Sequence, residues 1–191
     1  MAASSARSSA SAGTPGAPAK AGESRDGGAV SPSARNTGRL AAVQALYQIE
    51  ATQESPDRVM TDFMAGRTGG IAMTEDPDTE QEHTVPLPEF DVETFVTLVR
   101  TVQKRGDEID DMIRGALAAE WPWDRLEMIV KAILRAAVAE LLARTDVPAK
   151  ATMSEFIDIA HAFYDGAEPR MVNAVLDRIA RALDRLGDAA P

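Results

Sequence analysis

Residues 126–142, with the sequence LEMIVKAILRAAVAELL, carry the pattern that decides the fold. Apolar side chains recur there at intervals of three and four residues, which is the periodicity of an α-helix with one broad buried face. Glu127, Lys131 and Arg135 form a polar row along another side of the same helix. The stretch therefore predicts a long core helix. Its apolar set is Leu126, Ile129, Val130, Ile133, Leu134, Ala137, Val138, Leu141 and Leu142.

Helical patterns on both sides of this stretch predict an all-α fold with about seven helices. Thr37 is the expected N-cap of the first helix, and Gly106 is expected to separate the third helix from the fourth. No segment of useful length alternates apolar and polar residues as a half-buried strand does. Apart from the core helix, the expected helices cover about residues 40–51, 56–65, 91–105, 107–117, 149–164 and 169–183.

The composition excludes several classes of site. The 191 residues include no cysteine and only two histidines, so disulfides, thiolate zinc sites, cysteine nucleophiles and multi-histidine metal sites are ruled out. Glycine-rich phosphate loops and the serine, zinc and kinase motifs of common enzymes are also missing. Charged residues interrupt every apolar stretch well before the ~18 residues that a membrane span needs. We therefore expect a cytoplasmic, non-enzymatic protein without metal or cofactor.

The chain divides into a tail and one helical domain. Residues 1–34 contain ten Ala, eight Ser, five Gly and three Pro, a composition that cannot bury enough apolar surface to order itself. We expect residues 1–34 to be disordered and residues 35–188 to form a single domain. Residues 66–90 resemble a loop insertion, and the segment from Glu75 to Glu93 carries eight acidic residues and no Lys or Arg. Without those eight, the net charge of −10 becomes −2, so a local basic surface is compatible with the acidic total.

The first helix carries a candidate nucleic-acid contact. Arg35 and Arg39 are four residues apart, and Arg39, Val43 and Tyr47 continue the row with Gln44 beside it. Arg39 and Tyr47 are about 12 Å apart along a helix axis, which is about two nucleotide steps of single-stranded RNA. Arginine binds phosphates and tyrosine stacks on bases. A tyrosine on an amphipathic helix also suits the core, so both interpretations of Tyr47 stay open.

Three segments resemble the NusB family of bacterial transcription antitermination factors, in the family's order. They are ARNTGRLAAVQALYQIE at 34–50, VKAILRAAVAELLARTDVPAKATMSEFIDIAHAF at 130–163, and MVNAVLD at 171–177. The resemblance covers about residues 35–185, with 66–90 poorly matched. It implies two packed three-helix halves preceded by an arginine-rich arm.

The resemblance also implies a function and its residues. Family members bind boxA-type leader RNA of ribosomal RNA operons together with the small-subunit ribosomal protein NusE, within the RNA polymerase antitermination complex. Met171 stands where some members carry an aromatic residue that stacks on a base. Arg135 would belong to the surface shared with NusE. The RNA-binding residues implied in this chain are Arg35, Arg39, Gln44, Tyr47, Glu168, Arg170 and Met171.

Two departures from the family pattern bear on RNA affinity. The arm between Arg35 and Arg39 has no further basic residue, and Met171 offers no ring. Weak RNA affinity is therefore expected for the chain alone. The thin arginine arm and the acidic insertion motivate a rival hypothesis, a helical protein-interaction module that has lost RNA recognition. Some family members pair through the face that would meet RNA, so monomer and homodimer both remain open.

Overall fold

Six α-helices and one two-stranded hairpin make up the described structure. A computed structural model describes residues 32–67, 71–75, 82–86 and 90–186. The all-α class is confirmed, and within these ranges no helix is long and apolar enough to cross a membrane. The helices are α1 (Pro32–Thr52), α2 (Pro56–Met64), α3 (Val92–Ala116), α4 (Met128–Ala143), α5 (Ala149–Phe163) and α6 (Glu168–Ala182), with a 3-10 turn at Trp123–Arg125 before α4.

Helix α4 is the centre of the core, as its sequence predicts. It packs against α1 and α3 on one side and against α5 and α6 on the other. Because neighbours cover it on both sides, its alanines at 132, 136, 137 and 139 are as buried as its large apolar residues. Every residue from Ala136 to Leu141 is at most 1% exposed. The helix begins at Met128, since the 3-10 turn and an extended Leu126 precede it.

The helices form two groups of three. Within one group, α1 packs on α2 and α3; within the other, α4, α5 and α6 all pack on one another. The contacts of α4 with α1 and α3, together with those of α3 with α6, join the groups. This arrangement agrees with the two packed three-helix halves implied by the family resemblance. Short connections between α4, α5 and α6 make antiparallel packing the simplest solution.

The two helices predicted on either side of Gly106 are joined by a kink in the structure. Helix α3 consists of two helical segments merged across that kink, which lies at Arg105, one residue before the predicted boundary. Arg105 takes the non-helical angles φ −127° and ψ 25° at the kink. Its guanidinium forms two hydrogen bonds with Glu108, of 2.7 and 2.6 Å. A glycine at 106 weakens the helix without ending it, because the apolar faces before and after it pack on the same core.

The start of α1 and the insertion between α2 and α3 also differ from prediction. Helix α1 begins at Pro32, so Thr37 lies within the helix and is not its N-cap. Residues 32–34, the end of the segment expected to be disordered, belong to α1, and residues 1–31 lie outside the described residues. In the insertion, Ile71–Glu75 (β1) and Glu82–Pro86 (β2) pair as an antiparallel hairpin, with Ile71 opposite Pro86. The expectation that 66–90 has no regular element is therefore wrong for these two strands.

Gly38 lets α1 approach the start of α3 closely. The backbone N–H of Asp91 donates to the carbonyl of Ala34 at 2.9 Å, which joins the two elements. Asp91 also caps α3, since its carboxylate accepts from the N–H of Thr94. A Cβ atom added at Gly38 would lie 2.8 Å from the carbonyl oxygen of Asp91. That backbone group cannot swing away as a side chain could.

The substitution Gly38→Ala is expected to destabilise the protein by about 1–3 kcal/mol, because the added methyl overpacks a fixed backbone contact. Urea unfolding monitored by circular dichroism measures this change. Gly115→Ala is the matched control: Gly115 lies in α3 and a Cβ there meets nothing within 4 Å. The control should be neutral or stabilising by up to about 1 kcal/mol. Equal effects of the two substitutions would contradict the close-approach account.

Candidate nucleic-acid interface

Arg39 is a core residue rather than an outward-facing one. It is 5% exposed, and its guanidinium binds the carboxylate of Glu140, which is 1% exposed, through Nε–Oε2 at 2.8 Å and Nη2–Oε1 at 2.6 Å. Its Nη1 donates to Asn36 Oδ1 at 2.8 Å. The guanidinium is therefore fully engaged inside the protein. The expectation that it faces RNA is wrong, because a buried carboxylate on α4 requires a cation there.

Tyr47 emerges from the same helix that buries Arg39. Successive i+4 positions rotate by about 40° around an α-helix, so eight residues turn the row by about 80°. Arg39 and Val43 consequently face α4, while Tyr47 is 43% exposed. The hypothesis that Tyr47 is a core residue fails on this exposure. The predicted row of Arg39, Val43 and Tyr47 therefore does not share one surface, because the rotation along the helix turns Tyr47 toward solvent.

Tyr47 lines an apolar groove of about 720 Å³, called here the Tyr47 groove. Phe163 from the end of α5 is 45% exposed and forms another part of its wall. Large exposed aromatic surface in a concave site is typical of a binding surface. The groove is lined by Gln44, Tyr47, Gln48, Ala51, Thr52, Phe63, Glu127, Met128, Ile129 and Phe163.

Two of the polar residues that line the groove are Gln44 and Glu127. The side-chain oxygen of Gln44 is buried and has no hydrogen-bond partner in the described part of the chain. Glu127 accepts a hydrogen bond from the hydroxyl of Tyr164 at 2.8 Å, joining the start of α4 to the end of α5. Partial burial and this carboxylate raise the pKa of Tyr164 above its usual range, so the phenol stays protonated. Glu168 lies close enough to add to that effect.

Arg35 lies apart from the Tyr47 groove, at the first turns of α1. It borders a pocket of about 250 Å³ together with Asp146 and Glu155. The hydrogen bonds from Arg144, with a smaller contribution from the charge of Arg35, hold the pKa of Asp146 below its usual range. Arg35 itself forms no hydrogen bond or ion pair within the described ranges. It is the one cation of the predicted arm whose guanidinium is available.

The remaining predicted RNA residues meet at the start of α6. Met171 is only 6% exposed, so it serves mainly as core, whereas Arg170 is exposed. Both border a second pocket, of about 290 Å³, that also contains Trp121 and Arg178 and is called here the Trp121 pocket. The connection between α3 and α4 borders this pocket and the Tyr47 groove alike. Met171 is therefore unsuited to direct stacking, because its neighbours in the core cover it.

Arg135, the predicted NusE contact, is tied into a network on α4. It binds Asp110 through two hydrogen bonds of 2.7 Å and Glu50 through one of 3.0 Å. The hydrogen bonds with Asp110 are the main reason that the pKa of Arg135 is raised. Its guanidinium carbon lies 5.5 Å from the ring centre of Trp123, which Lys131 also approaches, to 5.0 Å. The side chain keeps 17% exposure, so one edge remains accessible.

Three acidic residues of α3, Glu108, Asp110 and Asp111, bind arginines rather than one another. Glu108 pairs with Arg105, and Asp111 pairs with Arg114. Asp110 takes the hydrogen bonds from Arg135 described above. Among the described residues, no group of three or more histidine, aspartate or glutamate side chains comes together as a metal site would require.

Sequence reasoning missed three residues that these surfaces depend on: Phe163, Trp121 and Arg178. The spacing of Arg170, Ala174 and Arg178 was a usable signal, since four-residue steps place these side chains along one side of α6. Nothing in the sequence links Phe163 to Tyr47, because their contact with one groove depends on how α5 packs on α1.

The single substitution Arg39→Met is expected to cost about 3–5 kcal/mol of folding stability, because it leaves the Glu140 carboxylate buried without a cation. The double variant Arg39→Met with Glu140→Leu should recover most of that loss. Denaturant unfolding of the three proteins measures both effects. Arg100→Met is the control, since its ion pair with Asp57 is exposed and should contribute less than about 1 kcal/mol. A loss at Arg39 no larger than at Arg100 would contradict the structural role.

Comparison with known proteins identifies a family. The model of the NusB family matches residues 36–181. The transcription antitermination protein NusB of Rhodospirillum rubrum is 48% identical over 150 residues, covering 75% of this chain and 81% of that protein. The NusB protein of Granulibacter bethesdensis is 40% identical over 149 residues, covering 78% of this chain and 88% of that protein.

Solved structures show the same fold. NusB of T. maritima superposes with a TM-score of 0.59 at 26% identity, covering 79% of this chain and 92% of that one. A crystal structure of the antitermination factors NusB and NusE in complex with double-stranded RNA gives a TM-score of 0.58 at 22% identity, covering 77% of this chain and 96% of that one. On its family match, its relatives and its fold, the chain belongs to the NusB family of transcription antitermination factors.

Proposed function

We propose that this chain binds boxA-type leader RNA of ribosomal RNA operons together with the ribosomal protein NusE, within the RNA polymerase antitermination complex. The observation that carries the proposal is that Tyr47 is 43% exposed and lines an apolar groove. Its helix carries one of the three segments that resemble the family. The action is binding and assembly rather than catalysis.

The Tyr47 groove offers what an unpaired base needs. The Tyr47 ring supplies a stacking surface, and Phe163 offers a second one across the groove. Glu127 disfavours a phosphate there, so we assign bases, not phosphates, to the groove.

Cations for phosphate contact are few on the proposed face. Of the predicted set, Arg35 and Arg170 have no ion pair within the described ranges, whereas Arg39 is committed to Glu140. Two phosphate contacts give weak binding at physiological salt. The proposal therefore requires NusE to supply further contacts, with Arg135 and the exposed surface beside it as the NusE site. The solved complex of NusB and NusE with double-stranded RNA, on the same fold, is an example of such an assembly.

The second candidate function is a protein-interaction module that has lost RNA recognition. The burial of Arg39 and Met171 favours it, because it removes two of the seven predicted RNA contacts. The two candidates differ in one respect: RNA strengthens the complex with NusE only if recognition is retained. Size-exclusion chromatography of the chain with NusE and a short boxA-type RNA reports all pairings, and also separates a monomer from a homodimer.

The substitution Tyr47→Ala should weaken binding of boxA-type RNA to the chain–NusE complex about tenfold, since one stacked base contributes about 1–3 kcal/mol. Thermal unfolding should change little, because the ring is not in the core. Met64→Ala is the matched control, as Met64 is 47% exposed on α2, outside the groove. Unchanged RNA affinity in Tyr47→Ala, or an equal loss in Met64→Ala, would contradict the proposed contact.

The salt dependence of RNA binding should be shallow for the chain alone. Two single-strand phosphate contacts predict a slope of log K against log salt between about −1 and −2. Adding NusE should raise the affinity and steepen the slope. Fluorescence anisotropy at four salt concentrations measures both. Failure to bind RNA with or without NusE refutes the proposed function and leaves the interaction module.

A further inference from the structure

The Trp121 pocket combines an aromatic ring with two guanidinium groups. Trp121 and Glu120 come from the connection between α3 and α4, and Arg170 and Arg178 come from α6. The ring of Trp121 is half-buried: one part packs on the core and another lines the pocket. The backbone N–H of Trp121 donates to the carbonyl of Ala118 at 2.9 Å, which fixes the turn that presents the ring.

The two arginines flank a gap on α6. Ala174 lies midway between Arg170 and Arg178, so two four-residue steps separate the guanidiniums by about 12 Å along the helix axis. Arg178 donates to the carbonyl of Ala116 at 2.8 Å, which holds it against the end of α3. Arg170 is exposed and has no hydrogen bond or ion pair with the rest of the described chain. The small side chain at Ala174 leaves the space between them open.

This combination suits a nucleotide better than an acidic peptide. A carboxylate needs only the cations, whereas a base also uses the flat indole surface. Met171 lines the pocket but is almost fully buried, so Trp121 provides the stacking surface here. Glu120 at the rim can accept from an exocyclic amino group, which favours cytosine or adenine over uracil.

We infer that the Trp121 pocket binds one nucleotide of the RNA, with its base against the Trp121 ring and its phosphate held by Arg170 or Arg178. The inference rests on the proposed RNA-binding function and adds a second stacking site to the one at Tyr47. The connection between α3 and α4 contributes a residue to each site, Glu127 to the Tyr47 groove and Trp121 to this pocket.

Fluorescence of a single tryptophan tests the inference directly. The chain has two tryptophans, so Trp123→Phe leaves Trp121 as the only indole. A short boxA-type RNA is titrated into the complex of this variant with NusE, and the tryptophan emission should fall. The RNA concentration at half-maximal quenching should equal the one at half-maximal anisotropy change, measured with labelled RNA. The reciprocal variant Trp121→Phe keeps Trp123 as the only indole and should show little quenching. NusE without RNA provides the baseline for both.

Affinity measurements on pocket variants provide the second test. Trp121→Leu should weaken RNA binding about tenfold while circular dichroism stays unchanged. Arg170→Gln should weaken it and reduce the salt slope by about 0.7. Arg181→Gln is the matched control, because Arg181 lies on the same helix, pairs with Asp177 and does not line the pocket. Its RNA affinity should equal that of the unmodified chain.

The possible failures are distinguishable. This inference alone is overturned if RNA binds the unmodified chain with normal affinity but does not change the emission of Trp121, and if the Trp121→Leu and Arg170→Gln variants bind RNA with unchanged affinity. Quenching of Trp121 by a poly-glutamate peptide, with no quenching by RNA, overturns it in favour of an acidic protein partner. Absence of RNA binding in every mixture overturns both the inference and the proposed function.

Discussion

The buried ion pair between Arg39 and Glu140 sets how the first helix lies on the core. Glu140 projects from α4, whose surroundings are apolar, and such a carboxylate is tolerated only with a cation and further hydrogen bonds. Arg39 supplies both from α1, and Asn36 completes its hydrogen bonding. Fixing Arg39 inward fixes the rotation of α1, and that rotation brings Tyr47 to the surface. One ion pair therefore connects the core to the proposed RNA contact.

The proposed RNA-binding face contacts RNA mainly by stacking of aromatic rings rather than by charged side chains. Tyr47 is exposed and Trp121 is half-buried, and each ring lines a site to which the connection between α3 and α4 contributes a residue. Glu127 disfavours a phosphate at the Tyr47 groove, and the cations near the rings are those of Arg170 and Arg178 at the Trp121 pocket. This balance fits a chain with a net charge of −10, and it makes affinity depend on a partner that supplies cations.

The helices could be predicted because their apolar periodicity comes from packing on one core. The pattern over 126–142 predicts α4, and the same reasoning places α5 within one residue at its end. The separation predicted at Gly106 is present as a kink at Arg105, and packing on both sides keeps the two helical segments joined, because glycine weakens a helix by only about 1 kcal/mol. The hairpin was missed because strand pairing within a polar insertion leaves no alternation strong enough to read.

Side-chain orientation was the least predictable part of the candidate site. Arg39 looked like an RNA ligand because its partner, Glu140, lies 101 residues away and no local pattern connects them. The family resemblance implies that Met171 contacts RNA, yet the packing of α6 on the core buries its side chain. Tyr47 and Gln44 were predicted correctly as neighbours because both lie within one turn of one helix. Local spacing thus predicts neighbours, and tertiary packing decides which of them face outward.

The most direct test of this account is an NMR spectrum of the arginine Nε–H groups, recorded for the chain–NusE complex with and without boxA-type RNA. The signal of Arg39 should be protected from solvent exchange and stay in place, while those of Arg35 and Arg170 shift on RNA addition. A shift of Arg39 with fast solvent exchange, and no change at Arg170, would contradict the buried-pair account and return Arg39 to the RNA surface.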